Sequence, residues 1–106
     1  MSEEVRRYFT HLGERADPES VAGMRKSCVF EIDDVGTWHV TVDNGEVVVR
    51  EGDGDANAHV STSSEVFERI LRHELKPTSA YLTGRLRIRG ELATVMRLQP
   101  LLEAHA

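Results

Sequence analysis

Apolar residues near the start of the chain fall at Val5, Tyr8, Phe9 and Leu12, the i, i+3, i+4, i+7 spacing of a helix with one apolar stripe. The pattern predicts a helix from Glu3 to Ala16, with Glu3 and Glu4 placed favourably at its positive end. Asp17-Pro18 ends it, because a residue before proline is pushed out of the α region. Residues 18 to 23 leave room for one more turn before Gly23.

The period then changes from 3.6 to 2. Cys28, Phe30 and Ile32 alternate with polar neighbours up to a turn at Asp33-Asp34-Val35-Gly36. Trp38, Val40 and Val42 alternate next, with His39 and Thr41 on the opposite face. Asp43-Asn44-Gly45 signals a hairpin, since Asn and Gly accept the positive φ of a type I′ turn. Val47 to Arg50 supplies a third strand, and Glu51-Gly52-Asp53-Gly54-Asp55 is expected to be an unpacked crossover loop.

Ala58, Val60 and Thr62 mark a short fourth strand, and Thr62-Ser63-Ser64-Glu65 fits a capping box that opens a helix. Val66, Phe67, Ile70 and Leu71 form the apolar face of that helix. Pro77 suits the first position of another short helix, which Gly84 ends. The fifth strand lies between two glycines, with Leu86 and Ile88 on one side and Arg85, Arg87 and Arg89 on the other. Its apolar flanks are expected to fold back onto the Leu86–Ile88 wall. In the last helix Leu92, Val95 and Met96 share a face, and Pro100 limits how far the helix runs regularly. The fold class is therefore α+β: a three-stranded meander, a crossover and two further strands, with helices covering one face of a five-stranded sheet.

Composition bounds what such a domain does. With 106 residues the chain is expected to be one domain, 1–106, with a single core. A net charge of −5 argues against nucleic acid as a partner. No apolar run approaches the ~20 residues that span a bilayer. The opening MSEEVRRYFT lacks the apolar core of a signal peptide, so a cytoplasmic location is expected. The one cysteine, Cys28, agrees with a reducing compartment.

Catalytic and metal chemistry find no constellation. Asp53, Asp55 and Asn57 resemble the opening of a calcium loop, but Ala58 and Ser64 stand where glycine and glutamate are needed. His11, His39, His59, His73 and His105 form no i, i+4 pair. Cys28 in a strand is expected to be an inert, buried thiol. Gly52-Asp53-Gly54 carries charge that repels phosphate. The sequence predicts no enzyme, no cofactor and no metal.

Val60-Ser61-Thr62 followed by Glu65-Val66-Phe67, then Lys76-Pro77-Thr78-Ser79-Ala80-Tyr81, then Thr83-Gly84-Arg85-Leu86-Arg87-Ile88-Arg89-Gly90, together resemble the sterol carrier protein 2 family of lipid-binding domains. The glycine-bounded basic strand is the most recognisable of these elements, and Gly45 within Trp38 to Val49 fits the family's second hairpin. Arginine replaces a common lysine in the basic strand, and Pro100 is a second departure. The resemblance implies a five-stranded sheet with helices on one face, enclosing an apolar tunnel for a lipid or fatty-acyl ligand, without catalysis.

Two sets of residues are candidates for function. Trp38, Val60, Leu86 and Ile88 on the sheet, with Phe67, Leu71, Tyr81, Leu82 and Met96 on the helices, read from the residues alone as packed core before they read as the wall of a ligand space, because interiors pack densely. The resemblance puts the ligand wall level with packed core for the helical residues, while the strand residues at the sheet centre stay mostly core; Met96 adapts to different tails and Tyr81 offers one polar contact. Arg85, Arg87 and Arg89 serve either as a solvated edge that blocks aggregation or as a transient docking stripe for anionic lipid headgroups. The partner expected is a hydrophobic small molecule or lipid. The alternative is a ligand-free interaction or dimerisation module of the same fold, binding a second copy or a partner enzyme.

Overall fold

The Val5, Tyr8, Phe9 and Leu12 stripe forms α1, Glu3–Arg15, and all four side chains are buried. The computed structural model describes residues 2–15 and 18–103, so Ala16 and Asp17 at the expected helix end, and His105, lie outside the described residues. Ser2 caps α1 by accepting the Val5 N–H at 3.1 Å and ties it to the next helical layer by donating to Glu68 at 2.6 Å. One 3₁₀ turn, Pro18–Val21, precedes Gly23.

The alternating segments form β1 (Arg25–Asp33), β2 (Gly36–Asp43), β3 (Glu46–Glu51), β4 (Ala58–Ser63) and β5 (Leu86–Gly90) in the order β3-β2-β1-β4-β5. Asn44 and Gly45 both take positive φ, +49° and +96°, as a type I′ hairpin requires. β4 pairs parallel with β1, and β5 pairs antiparallel with β4. These registers align Trp38, Phe30, Val60 and Ile88 in one cross-strand row on the inner face. A neighbouring row of Val40, Cys28, Ala58 and Gly90 dwindles to small side chains, and α4 (Leu92–Glu103) lies over β1, β4 and β5.

Four local expectations are corrected. The crossover after β3 does pack: it lies across the outer sheet face, with the Gly52 N–H on Thr37 O (2.9 Å), Asp55 O against His39 Nε2 (2.9 Å) and Asn57 bonded to the Ser27 backbone. It helps bury the outward-pointing Val29, which shares a 30 Å³ cavity with Asp53 and His59. Its acidic side chains are exposed, while backbone groups and the Asn57 side chain make the contacts.

The second correction concerns α2 (Ser64–Leu71), whose N-cap is Ser63: its hydroxyl accepts the Val66 N–H at 3.1 Å. Thr62, one residue earlier, still belongs to β4 and points inward, so its hydroxyl donates to Arg85 O at 2.8 Å instead. Third, α4 continues through Pro100 to Glu103. Buried Leu101 and Leu102 anchor that last turn, and the Tyr8 hydroxyl donates at 3.0 Å to Leu101 O, one of the end carbonyls that no helix N–H reaches. Fourth, the buried stripe of α4 is Thr94, Val95, Leu98, Leu101 and Leu102, so Leu92 is left exposed rather than sharing a covered face with Val95.

Candidate ligand-binding site

α3 (Pro77–Leu82) starts with Pro77 at its first position, where the missing N–H costs nothing, and Lys76 gives it no side-chain cap. It ends in a Schellman motif: the Arg85 N–H reaches Ala80 O at 2.9 Å, the Gly84 N–H reaches Tyr81 O at 3.1 Å, and Gly84 has φ +76°. Arg85 therefore belongs to the helix cap, and β5 begins one residue later, at Leu86. At the far end of β5, Gly90 takes φ +89° against Asn57, where a Cβ would stand 2.5 Å from the carbonyl oxygen. The next residue, Glu91, accepts bonds from Lys26 (3.0 Å) and Thr94 (2.9 Å). These bonds, the Lys26 one first, hold its carboxyl below the usual carboxylate range and tie the start of α4 to β1.

The space under α1 and α2 is filled by aromatic rings. Phe9 stacks on Trp38 at 4.5 Å and on Phe67 at 5.5 Å, and Tyr8 and Phe30 meet Phe67 edge-on at 5.8 and 6.2 Å. Trp38 and Phe67 thus sit in a closed stack, and Val60, Leu71 and Leu86 are buried around it. Burial pushes the Cys28 thiol up to about 12, so it is not a reactive thiolate near neutrality, and the buried Tyr8 phenol is raised too.

The remaining candidates lie elsewhere. Ile88 and Met96 are half-buried, Tyr81 is 37% exposed and Leu82 81% exposed. The expectation that both flanks of β5 fold back fully is thus met by Ala80 and Val95 but not by Tyr81, Leu82 or Leu92. Ala80 and Leu82 are two residues apart, about 200° around the helix axis, so with Ala80 buried Leu82 points outward. Arg85, Arg87 and Arg89 are exposed, with Arg87 opposite Ser61 and Arg89 opposite His59 on the outer face.

Sequence reasoning missed a groove of about 430 Å³ at the opposite edge of the sheet, between α1 and β3, lined by Phe9, Gly13, Trp38, Val47 and Val49 among others. Its only sequence signal is Gly13, where a Cβ would come within 2.9 Å of Val47 O. Asp53, Asp55 and Asn57 do not converge: Asp53 accepts the Gly54 N–H at 2.7 Å, while the Asn57 side chain serves Ser27. Among the described residues no group of three or more His, Cys, Asp or Glu is placed to hold a metal, and no helix is long and apolar enough to cross a membrane.

The model of the SCP-2 sterol transfer family matches residues 9–103. The chain belongs to that family. Among curated relatives it is 37% identical over 65 residues to mouse (Mus musculus) stomatin-like protein 1, covering 61% of this chain and 16% of the relative. It is 31% identical over 78 residues to human (Homo sapiens) hydroxysteroid dehydrogenase-like protein 2, covering 70% of this chain and 19% of the relative. The chain thus spans less than a fifth of these relatives. The SCP-2 fold is matched in solution by palmitated SCP2L2 of Aedes aegypti, with a TM-score of 0.73 and 20% identity over 99% of this chain and 97% of that one. It is also matched by part of an enzyme, the sec-alkylsulfatase Pisa1 of a Pseudomonas species, with a TM-score of 0.78 and 20% identity over 89% of this chain and 15% of that one. The fold is that of sterol carrier protein 2 domains, and it occurs both alone and inside longer enzymes.

Proposed function

We propose that this chain is a non-catalytic carrier that takes a fatty-acyl, sterol or isoprenoid-like ligand between β4–β5 and the helices α3 and α4. The observation that carries this reading is the uneven filling of the inner face. Rings close the α1–α2 side, whereas the α3–α4 side leaves Tyr81 and Leu82 exposed and Ile88 and Met96 half-covered. These four form the mouth. Val60, Leu71 and Leu86 form the wall behind it, and the Phe67 and Trp38 rings lie beyond that wall, out of the ligand's reach.

Binding would come from burial, at about 0.8 kcal/mol per methylene removed from water. Exchange would proceed by parting α3 from β5. This helix has six residues, buries only Pro77 and Ala80, and has no side-chain N-cap, whereas α4 is held at its start by Glu91. The palmitated fold neighbour supports an acyl ligand. The test is saturable binding of a fluorescent fatty-acyl probe to delipidated protein, abolished by Ile88→Glu with circular dichroism unchanged. Failure to bind any lipid class would end the carrier reading.

A second reading, a ligand-free interaction or dimerisation module, is favoured by the groove beside Trp38, a cleft away from α3 whose valines and rings are flanked by Glu14 and Glu51. Native mass spectrometry separates the two: co-purified lipid on a monomer supports the carrier, and stoichiometric self-association without lipid supports the module.

A further inference from the structure

The two-residue turn at Asn44-Gly45 makes Asp43 and Glu46 the first hydrogen-bonded pair of the β2–β3 ladder, so Val48 and Arg50 also turn their backbone groups to β2. The Gly52 N–H on Thr37 O continues the same alternation. Val47, Val49 and Glu51 therefore turn their N–H and C=O groups away from the sheet, along an edge that no described strand covers. Gly13 of α1 stands over Val47 O, where a Cβ would lie 2.9 Å from it. The open stretch of edge is Val49 and Glu51. It forms one side of the groove of about 430 Å³, and Thr10, Gly13 and Glu14 of α1 form the other.

This groove has an apolar floor and an acidic rim. Phe9, Trp38, Val47 and Val49 line the floor, and Glu14 and Glu51 are exposed beside them. Among the described residues neither carboxylate pairs with a Lys or Arg: Glu14 meets His11 at 3.7 Å, and Arg50 points to the outer face, towards Gly54 of the crossover. Val48, on that outer face, is 54% exposed.

We infer that an extended segment of a partner protein, alternating basic and apolar side chains, adds to the β3 edge as one more strand. Its backbone pairs with Val49 and Glu51. Its basic side chains lie over the groove, with aliphatic stems on Val47 and Val49 and charged heads at Glu14 and Glu51, and its apolar side chains cover Val48 on the other face. Strand addition of this kind draws affinity from the backbone bonds and specificity from alternate side chains. A second copy fits less well, because β3 paired with itself would set the carboxylates of both copies together. An acyl chain fits less well too, since it would leave the Val49 and Glu51 backbone groups without partners. The inference rests on the interaction reading of this groove, while leaving the mouth between α3 and α4 free for a ligand.

The test titrates the lipid-free protein with end-blocked peptides of alternating Val and Lys, followed through the backbone amide resonances. Saturable binding is expected, with the largest shifts at Val49 and Glu51. Peptides of alternating Val and Glu should not bind, and neither should Val–Lys peptides with an N-methylated backbone, which keep their side chains but lose their donors. Glu14→Gln and Glu51→Gln should each weaken binding about two- to fivefold, the range of an exposed ion pair. Absence of saturable binding, equal binding of the N-methylated peptide, or shifts centred away from β3 would overturn the proposal. Displacement of the peptide by a fatty acid would make the groove a lipid site and overturn it as well. A lipid-free dimer in which the Val49 and Glu51 amides are protected would keep the interaction reading but give the edge to a second copy. A monomer that binds none of the peptides would end both.

Discussion

Trp38 and Ile88 are the two ends of one row across the inner face of the sheet, separated by Phe30 and Val60. Three strand spacings put them roughly 14 Å apart. Trp38, Phe30 and Val60 are buried, while Ile88 is half-open, so closure of the core falls off towards β5. A reporter placed along this row would distinguish a ligand held at the β5 end from one held at the Trp38 end.

Trp38 is the only tryptophan, which makes it a reporter. A brominated fatty acid, which quenches indole at contact, is expected to leave Trp38 emission nearly unchanged. It should quench strongly in a Trp38→Phe, Ile88→Trp protein. The reverse order would put the ligand in the groove beside Trp38 and move the site to the α1–β3 edge.

Glu91 should make the start of α4 sensitive to acid. Its folded pKa is depressed, by the Lys26 bond first and the Thr94 bond next, so its contribution is present above the unfolded value and is lost as pH falls through the folded one. Glu91→Gln is expected to flatten the acid limb of the stability curve without changing its neutral slope. Acid unfolding curves of the two proteins that stay parallel below pH ~4.5 would show that the tie contributes nothing.

Most of this architecture could be read from the sequence because it depends on side-chain period and on a few residues with special φ. The Val5–Leu12 stripe, the three alternating strands and the Asn44-Gly45 turn all appear where those rules put them. The misses share a cause. The crossover packs through backbone groups and Asn57, which no hydropathy pattern records. The buried stripe of α4 passes through Thr94, a residue that a search for apolar spacing skips in favour of Leu92. The cap moved from Thr62 to Ser63 because β4 needs Thr62 inward, a demand set by strand phase rather than by the motif. For the candidate site, the sequence brings α3, β5 and α4 together, but the division between the sealed Trp38–Phe67 stack and the open Tyr81–Leu82 end is a tertiary property.

Cys28 should be silent in the native protein. Burial raises its thiol to about 12, which holds the thiolate fraction very low at neutral pH. A thiol reagent at pH 8 is expected to label it only at the rate of unfolding, so labelling should speed up with denaturant. The raised pKa also means that stability declines as pH rises from the unfolded thiol value towards the folded one. Rapid labelling without denaturant would mean that β1 opens at its centre.

Gly90 should resist substitution more than its place at a strand end suggests. It takes φ +89°, and a Cβ there would fall 2.5 Å from Asn57 O, a backbone atom on the segment that enters β4. Gly90→Ala is therefore expected to cost more than about 1 kcal/mol, whereas Gly84→Ala, strained in φ but open in space, should cost less. Chemical denaturation of both variants would show a reversed order if the β4–β5 ladder can slide.

The last prediction separates packed core from ligand wall by stability. Trp38 is buried against Phe9, so Trp38→Ala should cost about 3–5 kcal/mol, the range for a large core truncation. Tyr81 is 37% exposed and should cost no more than about 1 kcal/mol, with half-buried Met96 between them. Acyl-probe affinity should follow the opposite order, falling most at Met96 and Tyr81 and only indirectly at Trp38. The physical reason is that a wall facing an exchangeable ligand has fewer protein atoms to lose on truncation than a residue stacked at 4.5 Å on a neighbouring ring. Losses at Met96 and Tyr81 as large as at Trp38, in lipid-free protein, would mean that α3 and α4 already pack the space solid, leaving the mouth between them no room for an acyl chain.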